Sequence, residues 1–172
     1  MSSSSGSIIE ESQSDQGRED SQRDKYLTFL VENEEYGIAI NYVTEIIGLQ
    51  KITDLPDLPE SVRGVINLRG RIIPVMDMRN RFHLPNREYD SRTCVVVVNL
   101  DGGTVGLIVD RVSEVHHIPA AQIEPPPRAK GGCRYIQGIG KVGDQVKILL
   151  DINSLLGQDD ILELAADLEK GN

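Results

Sequence analysis

Tryptophan is absent from this 172-residue chain, phenylalanine occurs twice, tyrosine five times and cysteine twice. With so few large rings, any contact surface must rest on aliphatic packing. An excess of base is also missing, since 18 Lys and Arg face 27 Asp and Glu for a net charge of −9. The acidity sits at the ends: residues 1 to 25 carry six acids and three bases, and residues 158 to 172 carry five acids and one base. The stretch between them is nearly balanced, with no basic stripe to track a phosphate backbone, so nucleic acid is not an expected partner. Long apolar runs are lacking too. The longest, such as Cys94 to Val98, stop at strand length, far short of a membrane span. The start, Met-Ser-Ser-Ser-Ser-Gly-Ser, has neither the basic head nor the apolar middle of a secretory signal. These features predict a cytoplasmic protein without direct membrane insertion. Cys94 and Cys133 have no metal-type spacing, so two free thiols with buried structural roles are expected.

What the chain does have is a near-repetition. Tyr-Gly-Ile-Ala-Ile-Asn-Tyr-Val-Thr-Glu-Ile (36 to 46) aligns with Val-Gly-Leu-Ile-Val-Asp-Arg-Val-Ser-Glu-Val (105 to 115), so that Gly37, Val43 and Glu45 recur as Gly106, Val112 and Glu114, 69 positions on. A second match, shifted by 74, places Gly64 on Gly138 and the run 72 to 78 on 146 to 152, with Asp77 on Asp151. Two copies of one β-rich unit follow. Each copy, at roughly 65 residues, is marginal as a lone core, so the halves are expected to pack on each other.

Residues 1 to 24 are polar and too poor in apolar side chains to offset their ordering entropy, which predicts a disordered acidic arm. Alternation from Tyr26 to Val31, the turn Glu32 to Glu35 and the run Tyr36 to Ile40 predict a hairpin. Its counterpart is Cys94 to Leu100, the turn Asp101-Gly102-Gly103 and Val105 to Val109. Asn41 and Asp110 mark equivalent bends. Beyond the first, Val43, Glu45 and Ile47 share one strand face. A loop at Pro56 and Pro59 leads to a hairpin, Arg63 to Asn67 and Ile72 to Met76, joined at Arg69-Gly70. Pro74 predicts an edge or bulge position. Asp77 caps a short helical turn. Gln137 to Val142 and Gln145 to Leu150 repeat the hairpin. A last helix, with Asp160 and Glu163 at its start, Ile161, Leu164, Ala165 and Leu168 on one stripe and Gly171 at its stop, is expected to pack on the surface.

Little of this resembles catalytic equipment. Gly138-Ile-Gly140-Lys-Val-Gly143 matches the dinucleotide fingerprint, but a strand rather than a helix is expected after it, so the glycines suit a hairpin; a nucleotide-binding enzyme is the distant alternative. His116 and His117 point to opposite faces and His83 stands alone, so no metal or other cofactor is expected. Glu45 and Glu114 could serve as a carboxylate pair, yet duplication already accounts for their similarity. No Gly-x-Ser-x-Gly elbow is present. The residue that stands out is Arg69, at the tip of an apolar hairpin, where a guanidinium reaches a partner's carboxylate or carbonyl.

Gly-Val-Ile-Asn-Leu-Arg-Gly-Arg-Ile-Ile-Pro-Val-Met-Asp-Met-Arg (64 to 79), together with residues 105 to 115, closely resembles the CheW family of bacterial chemotaxis coupling proteins. The resemblance implies a mainly β fold of two packed SH3-like five-stranded β-barrels related by duplication, with short helical turns and a C-terminal α-helix. On this pattern residues 25–157 form the two interwoven barrels, after the arm at 1–24 and before the helix at 158–172. It implies a non-catalytic adaptor, monomeric or weakly self-associating, that binds the regulatory domain of the chemotaxis histidine kinase CheA and the cytoplasmic tips of chemoreceptors in membrane-associated arrays. Carried onto this chain, it assigns receptor binding to Val43, Glu45, Asn67, Leu68, Arg69 and Gly70, and kinase contact to Gly138, Lys141, Gly143 and Asp144. The acidic arm, the Pro125 to Cys133 loop and the acidic final helix depart from a minimal member, which leaves open an equivalent role in a related receptor–kinase pathway.

Overall fold

The computed structural model describes residues 22–100, 102–126, 134–157 and 161–171. The sequence-based arm up to residue 21, Asp101 of the second hairpin turn, Cys133 with most of its loop, and the Asp160 cap lie outside the described residues. Within them the protein is mainly β, with eleven strands in two sheets and few helices.

In the first copy, β1 (Lys25–Val31) and β2 (Glu34–Ala39) form a hairpin, followed by β3 (Val43–Gly48) and a second hairpin of β4 (Val62–Leu68) and β5 (Arg71–Asp77). In the second copy the equivalents are β6 (Cys94–Leu100), β7 (Gly103–Val109), β8 (Arg111–His117), β10 (Ile136–Val142) and β11 (Gln145–Leu150). A two-residue β9 (Ile123–Glu124) is extra, and it makes the second sheet six-stranded where five strands were expected. The copies do not fold separately. One sheet runs β3-β6-β7-β5-β4 and the other β8-β1-β2-β11-β10-β9, so each lobe is built from the last strands of one copy and the first hairpin of the other. Each borrowed hairpin docks in the same way, antiparallel on one side (β6 on β3, β1 on β8) and parallel on the other (β7 on β5, β2 on β11). The first sheet curls until its rims meet, through Thr53 N–H to Val65 O at 2.8 Å and Val65 N–H to Thr53 O at 2.9 Å.

Strand alternation sorts the apolar residues into three cores. Inside the first lobe lie Ile66, Leu68, Ile73, Val75, Val95, Val97 and Ile108. Inside the second lie Tyr26, Ile118 and Leu149. The largest core is shared: the outer faces of the two borrowed hairpins, with Leu27, Phe29, Val96 and Val98 among others, pack against each other between the lobes. Phe29, Tyr36, Phe82 and Tyr135 stack in a row there, with successive ring centroids 6.2, 4.7 and 5.7 Å apart. The expected packing of the halves is thus an interlocking.

Asp77 caps α1 (Met78–Arg81) by accepting a hydrogen bond from the Arg79 amide. Asp151 plays the same part for α2 (Ile152–Gly157), accepting from the Asn153 and Ser154 amides. Pro74 does not occupy an edge strand, because β5 lies between β4 and β7. The parallel ladder to β7 begins one residue later, at Val75, and on the other side Pro74 pairs with Val65, whose amide and carbonyl bond to Thr53 instead, so the missing amide hydrogen is tolerated. The final helix α3 (Ile161–Gly171) lies on β5 and β7 of the first lobe, burying Ile161 and Ala165. Gly103 allows this approach, since a Cβ there would come within 2.6 Å of the Ala165 Cβ.

Candidate functional site

The turn between β4 and β5 is a two-residue connection in which Arg69 (φ 52°) and Gly70 (φ 90°) both take left-handed backbone. Such a turn matches the twist of its flanking strands but strains any residue with a side chain. Asn67 steadies it by accepting the Gly70 amide on Oδ1 at 2.7 Å. At the equivalent place in the second copy, Gly143 takes φ 61°. One copy uses glycine where the conformation asks for it, and the other retains arginine against that preference. The Arg69 side chain is 69% exposed and forms an ion pair with Glu45 of β3, across the rim where the curled sheet closes.

The sequence-predicted receptor residues are therefore brought together in part. Glu45, Asn67, Arg69 and Gly70 meet at one exposed rim of the first lobe. Leu68 does not belong to a contact surface: it is 7% exposed and packs inside the lobe. Val43 is half-buried against the shared core and Ile47 against the first lobe's interior, with a bulge between Val43 and Glu45, so the expected common face is broken. Ile46, on the opposite face of β3, is 43% exposed, and its equivalent Val115 on β8 is 48% exposed. β3 and β8 each end the strand order of their sheet, and each carries an exposed apolar residue. Sequence reasoning passed over this pair, although the repeat alignment itself superposes Ile46 on Val115.

Of the kinase-contact candidates, Lys141, Gly143 and Asp144 are exposed on the β10–β11 hairpin, and Lys141 Nζ lies 2.7 Å from Glu124 Oε1. Gly138 is corrected: it is buried, and a Cβ there would stand 2.6 Å from Ile123 Cγ2 and 2.9 Å from Glu124 O. It lets β9 approach β10 and offers no surface to a partner. The dinucleotide reading of the same segment fails for a related reason, since β11 and not a helix follows Gly143.

Two clusters of charge lie deeper. Arg79, with a side chain 5% exposed, donates from Nε to Asp110 Oδ1 at 2.8 Å and from an Nη to Asp110 Oδ2 at 2.6 Å, and from its other Nη to Glu32 Oε2 at 2.7 Å. Burial alone would raise the Asp110 carboxyl, but the Arg79 bonds and the Glu32 amide hold it below the usual carboxylate range. In the second lobe, Lys147 Nζ is 2.7 Å from Glu35 Oε1, and His116 Nε2 lies 3.9 Å from Glu35 Oε2 and 3.4 Å from Glu114 Oε1. Burial would raise Glu35 as well, and Lys147 with Thr28 and His116 pulls it down instead. Among the described residues no three His, Cys, Asp or Glu are arranged to hold a metal ion. His116 turns toward Glu35 while His117 is exposed. Cys94 is half-buried rather than buried, with its thiol 3.1 Å from Arg92 O. No described helix is long and apolar enough to cross a membrane.

Residues 25–160 match the model of the CheW-like domain. A chemotaxis protein CheW of Klebsiella aerogenes is 39% identical over 139 residues, covering 80% of this chain and 84% of the relative. A chemotaxis protein CheW of Treponema pallidum is 32% identical over 145 residues, covering 81% and 85%. The crystal structure of the scaffolding protein TtCheW from Thermoanaerobacter tengcongensis superposes with a TM-score of 0.69 at 38% identity, covering 74% of this chain and 88% of that one.

Proposed function

We propose that this chain, which belongs to the CheW family of chemotaxis scaffolding proteins, couples chemoreceptors to the histidine kinase CheA without catalysing a reaction itself. The observation that carries this reading is Arg69. A long cationic side chain is kept on left-handed backbone, at an exposed tip, where the duplicate copy has glycine. The turn conformation does not favour arginine there, and its exposed guanidinium is placed to meet a partner. Its guanidinium, steadied by Glu45 at an exposed rim, offers a charged anchor. A receptor tip presenting a carboxylate or carbonyl fits that rim.

The β10–β11 hairpin, with Lys141, Gly143 and Asp144, lies on the other lobe and leaves room for the kinase's regulatory domain at the same time. Each contact is modest, below about 1,200 Å² in total. Tethering both partners raises the effective concentration of one near the other, and repetition across an array multiplies it. Control of the kinase further requires unequal affinity for the two receptor states, because equal affinity shifts no equilibrium.

Co-sedimentation with a receptor cytoplasmic fragment and with the kinase regulatory domain, separately and together, tests the assignment. Arg69→Glu is expected to lower receptor recovery at least tenfold while leaving the thermal transition and kinase recovery unchanged. Undiminished receptor recovery would remove Arg69 from the interface.

A further inference from the structure

Among the described residues two bases are buried, Arg79 and Lys147, and both stand where a borrowed hairpin meets its host lobe. Lys147 on β11 faces Glu35 on β2, one step along the parallel ladder from the Ile148–Tyr36 pair. The equivalents in the other lobe are Ile73 on β5 and Thr104 on β7, both buried and neutral. Arg79, just after β5, grips Asp110, just after β7, with two hydrogen bonds. Its equivalents are Asn153 and Asn41, and that joint is held by Asn153 Nδ2 donating to the Tyr42 hydroxyl at 3.0 Å. Each joint thus carries one charged pair and one neutral pair, and the charged pair falls at the inner position in one lobe and at the outer position in the other.

We propose that these two ion pairs are recognition keys that tell the two equivalent hairpins apart, directing β1–β2 to the second lobe and β6–β7 to the first. Backbone hydrogen bonding cannot make the distinction, because both hairpins offer the same antiparallel and parallel ladders. With the hairpins interchanged, Glu35 would face Ile73 and Thr104 would face Lys147, while Asp110 would face Asn153 and Arg79 would face Asn41. Arg79 would lose Asp110 and Lys147 would lose Glu35, the carboxylate that each buried base meets at its joint. A buried pair adds little net stability over an apolar one, but a buried charge without its partner is disfavoured on the order of a hundredfold or more. The first lobe folds with Ile73 and Thr104 at the inner position, so the fold does not require charge there. Charge that is dispensable for packing yet matched at both joints serves specificity, by penalising the wrong arrangement.

The test uses the full chain with each pair replaced by the residues of its equivalents: Glu35→Thr with Lys147→Ile, and Arg79→Asn with Asp110→Asn. After unfolding in urea and refolding by dilution, size-exclusion chromatography and proton–nitrogen amide spectra count the folded species. The parent chain is expected to return as one species with one set of peaks. The keyless chain is expected to return with doubled peaks or mixed oligomers, as hairpins dock on either lobe of the same or a neighbouring molecule. A third chain keeps Arg79→Asn and Asp110→Asn but reverses the other pair, Glu35→Lys with Lys147→Glu, and regains a single set. A keyless chain that refolds to one parent-like set overturns the proposal. So does one that forms no folded species, since the pairs would then be ordinary supports, and so does persistent doubling in the reversed chain.

Discussion

Asp110→Asn is the substitution whose effect the geometry sizes most directly. The change preserves shape but removes the charge that two Arg79 nitrogens and the Glu32 amide share. Arg79 is left 5% exposed with Glu32, whose side chain is 42% exposed, as its remaining carboxylate. Breaking one side of a buried pair destabilises by about 3–5 kcal/mol, because the surviving charge stays desolvated. For a chain of this size each kcal/mol moves the melting temperature by about 2–4 °C, so a drop of about 6–20 °C is expected in calorimetry. Arg79→Asn with Asp110→Asn, which copies the neutral joint of the other lobe, removes both desolvation penalties and should lose only about 1–2 kcal/mol. Urea unfolding of parent, single and double variants measures both values. A single variant losing under about 1 kcal/mol, or a double variant losing as much as the single, would show that the surviving charge is not the source of the loss.

Gly106→Ala brings a Cβ within 2.7 Å of Val95 Cγ1 and 2.9 Å of Val75 Cγ1, and overpacking by about 1–3 kcal/mol is expected in urea unfolding. Gly37→Ala, whose nearest neighbour is Leu149 Cδ2 at 3.0 Å, should lose less, and an equal loss would contradict the packing argument. Glu35 and Asp110 are both held below their unfolded values, so the unfolded chain binds more protons as acid is added. Their contribution is complete above about pH 5 and is lost as pH falls through the folded values, which a falling urea midpoint between about pH 5 and 3 would record. The Tyr89 phenol, pushed up to about 12 by burial and by its bond to the Asp77 carboxylate, should ionise well above the ordinary tyrosine range in an ultraviolet titration. Tyr89→Phe removes that late step.

The strands were legible because period-two alternation and turn residues are local signals, and the duplication supplied a second reading of each. The exchange of hairpins was not, because likeness between β2 and β7 says that they occupy equivalent places without saying in which lobe. Residues whose meaning depends on the exchange were therefore missed: Lys147 looks like an outward position on a half-exposed strand, and Arg79 like a helical-turn arginine. Arg69 was legible as a turn residue at a hairpin tip, whereas its Glu45 partner depends on the sheet curling rim to rim. Gly138 was misplaced on the surface because β9, the strand that covers it, spans only Ile123–Glu124, too short to show a pattern.

The interlocked strand order also sets a schedule for synthesis. All five strands of the first sheet, β3 to β7, have been made once the ribosome passes Val109, but the N-terminal hairpin docks on β8 and β11, which end at His117 and Leu150. The first hairpin to emerge is thus among the last to find its ladder partners, and Tyr26, which packs with Leu149 inside the second lobe, waits for that contact while more than half of the polypeptide is translated.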